Sequence, residues 1–118
     1  MRYNKTTVLD FLSEFVDNLN TLFIVPRHLA EEPEEREKDP KAVCKRYELG
    51  KNFKKVIVAA VKSLTYHDYK ETLFDLQYNL GDLYVFRKEV KGVPLYVKLQ
   101  LNEKTGRSVV VSFHEWYD

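Results

Sequence analysis

The chain has little of several things: one cysteine, Cys44, one tryptophan, Trp116, and only four glycines and four prolines in 118 residues. A lone cysteine rules out an internal disulfide, and no Cys/His spacing matches a zinc site. With so little glycine and proline and no repeat, fibrous and low-complexity classes are excluded. Long apolar runs are also missing. None approaches the roughly 20 residues that span a bilayer, and Met1-Arg2-Tyr3-Asn4-Lys5 leads into an amphipathic stretch. Neither a signal peptide nor a membrane span is expected, so a cytoplasmic location is the default. No motif points to a metal or cofactor.

What is present suits one globular domain over residues 1–118: 44% hydrophobic and 14% aromatic residues, enough for one core and too few for two. The net charge of +1 hides an asymmetry. Residues 1–40 hold five Lys/Arg against nine Asp/Glu, and residues 41–118 hold fourteen against nine. A phosphate-rich partner would be drawn to the basic part and repelled by the acidic one, although both also suit ordinary solvated surface.

Val8, Leu9, Phe11, Leu12, Phe15, Val16 and Leu19 recur at helical spacing, which predicts a helix over about 7–20, with Thr7 and Asp10 as a capping-box variant. Leu22 to Val25, stopped by Pro26, reads as an edge strand or a packed connection. Residues 31–40, acidic with a proline near each end, read as an exposed loop or frayed turn. Lys41 to Leu49 predicts a short helix ended by Gly50. Asn52 is placed to cap another carrying Phe53, Val56, Ile57, Ala60, Val61 and Leu64.

From Asp82 the apolar period becomes two. Leu83 to Lys88, a Lys91-Gly92 turn, Pro94 to Leu101, a turn at 102–106 and Val109 to His114 predict an antiparallel three-strand meander. The fold class expected is therefore α+β, an antiparallel sheet covered on one face by N-terminal helices.

With Val90 paired to Val93, Arg87 falls opposite Tyr96 and Val85 opposite Lys98. Carried across the second turn, the same reasoning sets Tyr96 against Ser112 and Pro94 against His114. One face then carries Tyr84, Phe86, Leu95, Val97, Leu99, Val109, Val111 and Phe113. The opposite face gathers Arg87, Glu89, Tyr96, Lys98, Gln100, Ser112 and His114. Two cations, a phenol and an imidazole in the middle of a sheet suit an anionic ligand. Arg87 can fork onto a phosphate, Lys98 supplies a point charge, and Tyr96 offers a hydroxyl or a stacking surface. His114, with an ordinary pKa near 6.5, can move protons at neutral pH.

Several motifs now stand in order: Leu64-Thr65-Tyr66-His67-Asp68-Tyr69-Lys70, then Gly81 to Phe86 with Lys88 and Gly92, then Leu95-Tyr96-Val97-Lys98-Leu99, and Val111-Ser112-Phe113-His114-Glu115. This succession, over about residues 50–116, resembles the MqsR family of toxins from bacterial toxin-antitoxin systems. The resemblance implies a RelE-like scaffold and a metal-independent endoribonuclease, or mRNA interferase. It implies an enzyme that cuts single-stranded mRNA, needs no cofactor and is held inactive by a cognate antitoxin. The family tyrosine falls on Tyr96 and the basic residue after Ser-Phe on His114. The family lysine falls without a gap on Glu71, with Lys70 one position early, and the family glutamine falls near Leu83.

The catalytic set expected is thus His114, Tyr96, Lys98, Arg87 and Lys70, with Gln100, Ser112 and Lys88 as substrate contacts. Metal-free cleavage uses the ribose 2′-hydroxyl as nucleophile. It needs a proton acceptor, a donor for the leaving 5′-oxygen and cations for the developing charge. His114 suits the acid or base role, Tyr96 proton transfer or base stacking, and Lys98 and Arg87 charge stabilisation; Glu71 or Glu89 is the alternative base. Two further classes fit the same residues: a binding module of this fold without chemistry, and an interaction protein that assembles through its acidic and basic segments.

Overall fold

The computed structural model describes residues 1–117. Helix α1, Lys5–Asp17, begins earlier than its apolar period suggests, because Asn4 rather than Thr7 caps it: the Asn4 side chain accepts from the Thr7 backbone N–H at 2.9 Å. It buries Val8, Phe11, Leu12 and Phe15 along one stripe. After it, Phe23–Ile24 forms a short strand, β1. The acidic stretch contains a five-residue helix, α2, Pro33–Glu37, started by Pro33 where a missing N–H costs nothing. Helices α3, Pro40–Arg46, and α4, Phe53–Lys62, follow; Asn52 caps α4 by accepting from the Lys55 N–H at 3.2 Å, as expected.

Strands β2, Tyr69–Leu73, β3, Leu83–Val90, β4, Val93–Leu101, and β5, Ser108–Glu115, complete one five-stranded sheet of order β1-β5-β4-β3-β2. The α+β class is as expected, but the sheet is mixed rather than wholly antiparallel. Its last four strands run antiparallel, and β1 lies parallel to β5 with Phe23 beside Val109. β2 was not foreseen: Tyr-Lys-Glu-Thr-Leu is a short edge strand interrupted by a bulge between Tyr69 and Glu71, so its alternation is broken.

The β3–β4 hairpin has the predicted register, Val90 to Val93 and Arg87 to Tyr96. The β4–β5 hairpin does not. Leu101 pairs with Ser108, one residue beyond the expected partner, and a bulge between Lys98 and Leu99 leaves Val111 without an opposite number. The two single-residue shifts add, so His114 rather than Ser112 lies across from Tyr96, and Lys98 faces Ser112. Even parity returns residues 112–114 to the predicted faces. Between the turn and the bulge parity is odd, so Val110 enters the core while Val109 and Val111 turn to the other side, correcting the expectation for that pair.

The core lies between the sheet and helices α1, α3 and α4, and is built on Phe15, Val43, Ile57, Phe86, Leu95, Val97, Leu99, Val110 and Phe113, none exposed. Cys44 belongs to it as packing, its thiol pushed up to about 11 by burial. At the end of β5, Glu115 accepts from Arg46 Nη2 at 2.8 Å and Tyr47 Oη at 2.6 Å, tying α3 to the sheet. Burial would raise this carboxyl, but the hydrogen bonds from Tyr47 and Arg46 overcome it and hold the pKa at about 2. Because the folded pKa is depressed, the contribution is complete above the unfolded value near 4.5 and fades as pH falls toward 2. Glu115→Gln is therefore expected to lower stability by about 1–3 kcal/mol at pH 7. Urea titrations should show that gap closing by pH 2; a gap independent of pH would mean the carboxylate charge contributes nothing.

Candidate functional site

The side of the sheet away from the core is flanked rather than open. Beyond β5, residues 25–39 fold against it: the Val25 N–H donates to Val110 O at 3.0 Å, and Arg27 Nη2 donates to Ser112 Oγ at 2.7 Å and Val111 O at 3.2 Å. At the other end, Asp75 accepts from the Tyr78 and Leu80 N–H groups and from Gln100 Nε2, fixing the β2–β3 connection over the end of β4. Between the two lies a pocket of about 390 Å³ with Lys98 and Gln100 among its lining, Phe23, Val109 and Val111 on one side, and Tyr78 and Leu80 on the other.

On this surface β4 and β5 place Tyr96 directly across from His114, their rings stacked at 5.0 Å and 7°. Tyr117 lies 5.7 Å from the imidazole and Trp116 lies 5.7 Å from the phenol ring. The imidazole is walled by these aromatics, with only 7% of His114 exposed. Its Nδ1 lies 2.8 Å from Glu115 O. A carbonyl only accepts, so Nδ1 carries the hydrogen and the Nε2 lone pair is left for chemistry. No described residue bonds Nε2, and among the described residues no buried side-chain N or O lacks a partner, so Nε2 retains contact with solvent.

Burial lowers the His114 pKa below its ordinary value; the Glu115 carbonyl opposes this, and Arg27 and Lys38 add to the lowering. At neutral pH the imidazole is uncharged. Tyr96 is raised by burial and by the Glu71 carboxylate, with Arg27 opposing, so its phenol stays protonated. Lys98 is lowered by burial and by Arg27, against Asp75 and Glu35. Its ammonium lies 5.9 Å from the Tyr96 ring centroid. Among the described residues neither Lys98 nor Arg87 has a hydrogen-bonding or ion-pairing partner, although both are half-buried. Two partly desolvated cations beside an uncharged base and a protonated phenol form a receptor for an anion whose chemistry involves proton transfer.

No family model, curated protein or solved structure matches this chain. The site therefore rests on its own geometry.

His114, Tyr96, Lys98 and Arg87 share the outer face, as the strand alternation predicts. Ser112 and Gln100 lie there too, but buried and engaged: Ser112 accepts from Arg27, and Gln100 Nε2 donates to Asp75 Oδ2 at 3.0 Å and Gly81 O at 2.9 Å. Lys88 is not brought to the site. It occupies the helix side of β3, its ammonium 3.5 Å from Asp68 and donating to Ser63 O. Lys70 is the extra residue of the β2 bulge, exposed and separated from Tyr96 by the whole of β3, a span of about 10 Å. Glu71, its neighbour, pairs with Val85 and so takes a place on the outer face.

Sequence reasoning missed Arg27, which Glu35 pairs at 3.0 Å and Asp39 anchors through its backbone N–H at 2.7 Å. Its signal was present: acidic residues at 35 and 39 follow at spacings that a short helix can fold back onto position 27. Among the described residues no three His, Cys, Asp or Glu side chains converge on a metal position.

Proposed function

We propose that this chain is a toxin of the MqsR type on a RelE-like scaffold: a metal-independent endoribonuclease that cuts single-stranded mRNA in the cytoplasm and is restrained by a cognate antitoxin. The observation that carries the reading is the stacked His114–Tyr96 pair beside two cations with no hydrogen-bonding or ion-pairing side-chain partner among the described residues. The succession of motifs from Leu64 to Glu115 adds to it.

In this reading the RNA phosphate lies between Lys98 and Arg87. His114 Nε2 takes the proton of the ribose 2′-hydroxyl as the 2′-oxygen attacks phosphorus. The P–O5′ bond breaks, leaving a 2′,3′-cyclic phosphate, and the Tyr96 phenol protonates the departing 5′-oxygen. Lys98 and Arg87 stabilise the added negative charge, most effectively because they are partly withdrawn from water. A single strand is the substrate class that fits: a shallow face between two loops accepts a splayed chain more readily than an A-form duplex.

A second reading, a binding module of the same fold without chemistry, draws on the burial of His114. One assay separates them. Purified protein incubated with a long single-stranded RNA in EDTA should yield fragments ending in cyclic phosphate, and overproduction should arrest growth. Retention of RNA without products would favour the module and overturn the enzyme. Loss of both charges in Arg87→Ala/Lys98→Ala should slow cleavage by about 10²-fold or more.

A further inference from the structure

The pocket beside Lys98 has features that phosphate binding does not use. Its walls are apolar, formed by Val109 and Val111 on one side and Tyr78 and Leu80 on the other. At about 390 Å³ it is at the small end of ligand pockets, room for one flat heterocycle with its sugar. Its polar lining is Asp75, Gln77, Lys98, Gln100 and Asn102, with the one carboxylate, Asp75, already accepting from Gln100 and the Tyr78 and Leu80 N–H groups. Lys98 brings a donor. Gln100, 4% exposed, brings an acceptor whose orientation is fixed: both hydrogens of Nε2 are given to Asp75 Oδ2 and Gly81 O, so the amide cannot turn over. Its Oε1 accepts from no described residue and, since no buried polar side-chain atom among the described residues is left unpartnered, it keeps some contact with solvent. An acceptor held beside a donor, between apolar walls, matches the edge of a nucleobase, where ring or amino N–H groups adjoin carbonyl or ring-nitrogen acceptors. Tyr78, 64% exposed, supplies a ring for stacking. A cavity of about 470 Å³ on the helix side offers no comparable place, because Asp10, Glu14, Asp82 and Glu103 line it and would repel a nucleotide.

We infer that this pocket receives one unpaired nucleobase of the RNA, held at its edge by Gln100 Oε1 and on its face by Tyr78, and so selects the base next to the cleaved phosphate. This rests on the outer face being an RNA site. The β5 bulge has a role in it: by turning Val109 and Val111 outward it makes the apolar wall.

The test is a calorimetric or NMR titration of the full chain with the four nucleoside 5′-monophosphates, with ribose 5-phosphate and inorganic phosphate as probes lacking the base. At least one nucleotide should bind about 10-fold or more tightly than ribose 5-phosphate. Tyr78→Ala should remove most of that margin while leaving ribose 5-phosphate binding unchanged. Tyr78 is exposed, and the substitution keeps its backbone hydrogen bond to Asp75. Val111→Phe, which fills the pocket, should act the same way. Equal binding of nucleotides and ribose 5-phosphate would overturn the base pocket and leave the phosphate face standing, as would a margin that survives both substitutions. Failure of every probe, inorganic phosphate included, would overturn the RNA site itself.

Discussion

His114→Ala is expected to lower RNA cleavage by about 10²- to 10⁴-fold, the range for loss of a positioned proton-transfer group, while leaving the protein folded. The wild-type pH profile should identify the role. Burial lowers the His114 pKa, so a base at this position gains activity as pH rises through a value below the ordinary 6.5. A protonated acid would give the opposite slope over that window. The alkaline limb should fall as Lys98, lowered by burial and by Arg27, loses its proton, ahead of the Tyr96 phenol that burial and Glu71 raise. Tyr96→Phe keeps the ring stacked on the imidazole and removes only the hydroxyl. It should therefore lose activity without loss of stability, whereas Tyr96→Ala should lose both. An unchanged rate in His114→Ala would remove the imidazole from the chemistry and leave Glu71 as the base to test. The same lowered pKa bears on stability: the unfolded chain binds this proton more readily, so the contribution of neutral His114 is complete above about pH 6.5 and is lost as pH falls through the folded value.

The elements with uninterrupted periodicity were legible in the sequence. Phe11, Leu12 and Phe15 mark α1, Asn52 marks the start of α4, and the tight Lys91-Gly92 turn fixes β3 against β4 residue for residue. Alternation then brings Arg87, Tyr96 and Lys98 to one face. The parts that could not be read are those where the local pattern carries no parity. Val109-Val110-Val111 is apolar throughout, so nothing in it shows which valine turns inward, and the bulge that decides this is a property of the pairing. Lys70-Glu71 in β2 has the same difficulty in polar form. Lys88 alternates away from Arg87 and was never compatible with the outer face; its ion pair with Asp68 accounts for it. Arg27 comes from a segment with no period at all, placed by Asp39 and Glu35 rather than by hydrophobic spacing. The elements of the sheet thus follow from side-chain pattern, and the surroundings of the site follow from hydrogen bonds between distant loops.

Phe113→Ala is expected to cost about 3–5 kcal/mol, a large share of the roughly 5–15 kcal/mol that holds a domain together. Phe113 is unexposed, pairs with Val97 and precedes His114 on β5. Its burial holds the strand in the one parity that turns the imidazole toward Tyr96. Slipping β5 by one residue would bring His114 into the core and Phe113 to the surface, exchanging a favourable burial for the desolvation of a polar ring. The core side chain and the site side chain are two consequences of one alternation. Phe113→Leu, which keeps most of the volume, should cost about 1–1.5 kcal/mol and retain cleavage. Urea unfolding with a common m-value would measure both differences. A loss below about 1 kcal/mol in Phe113→Ala would place this residue outside the core. The register that brings His114, Tyr96 and Lys98 together would then fall with it.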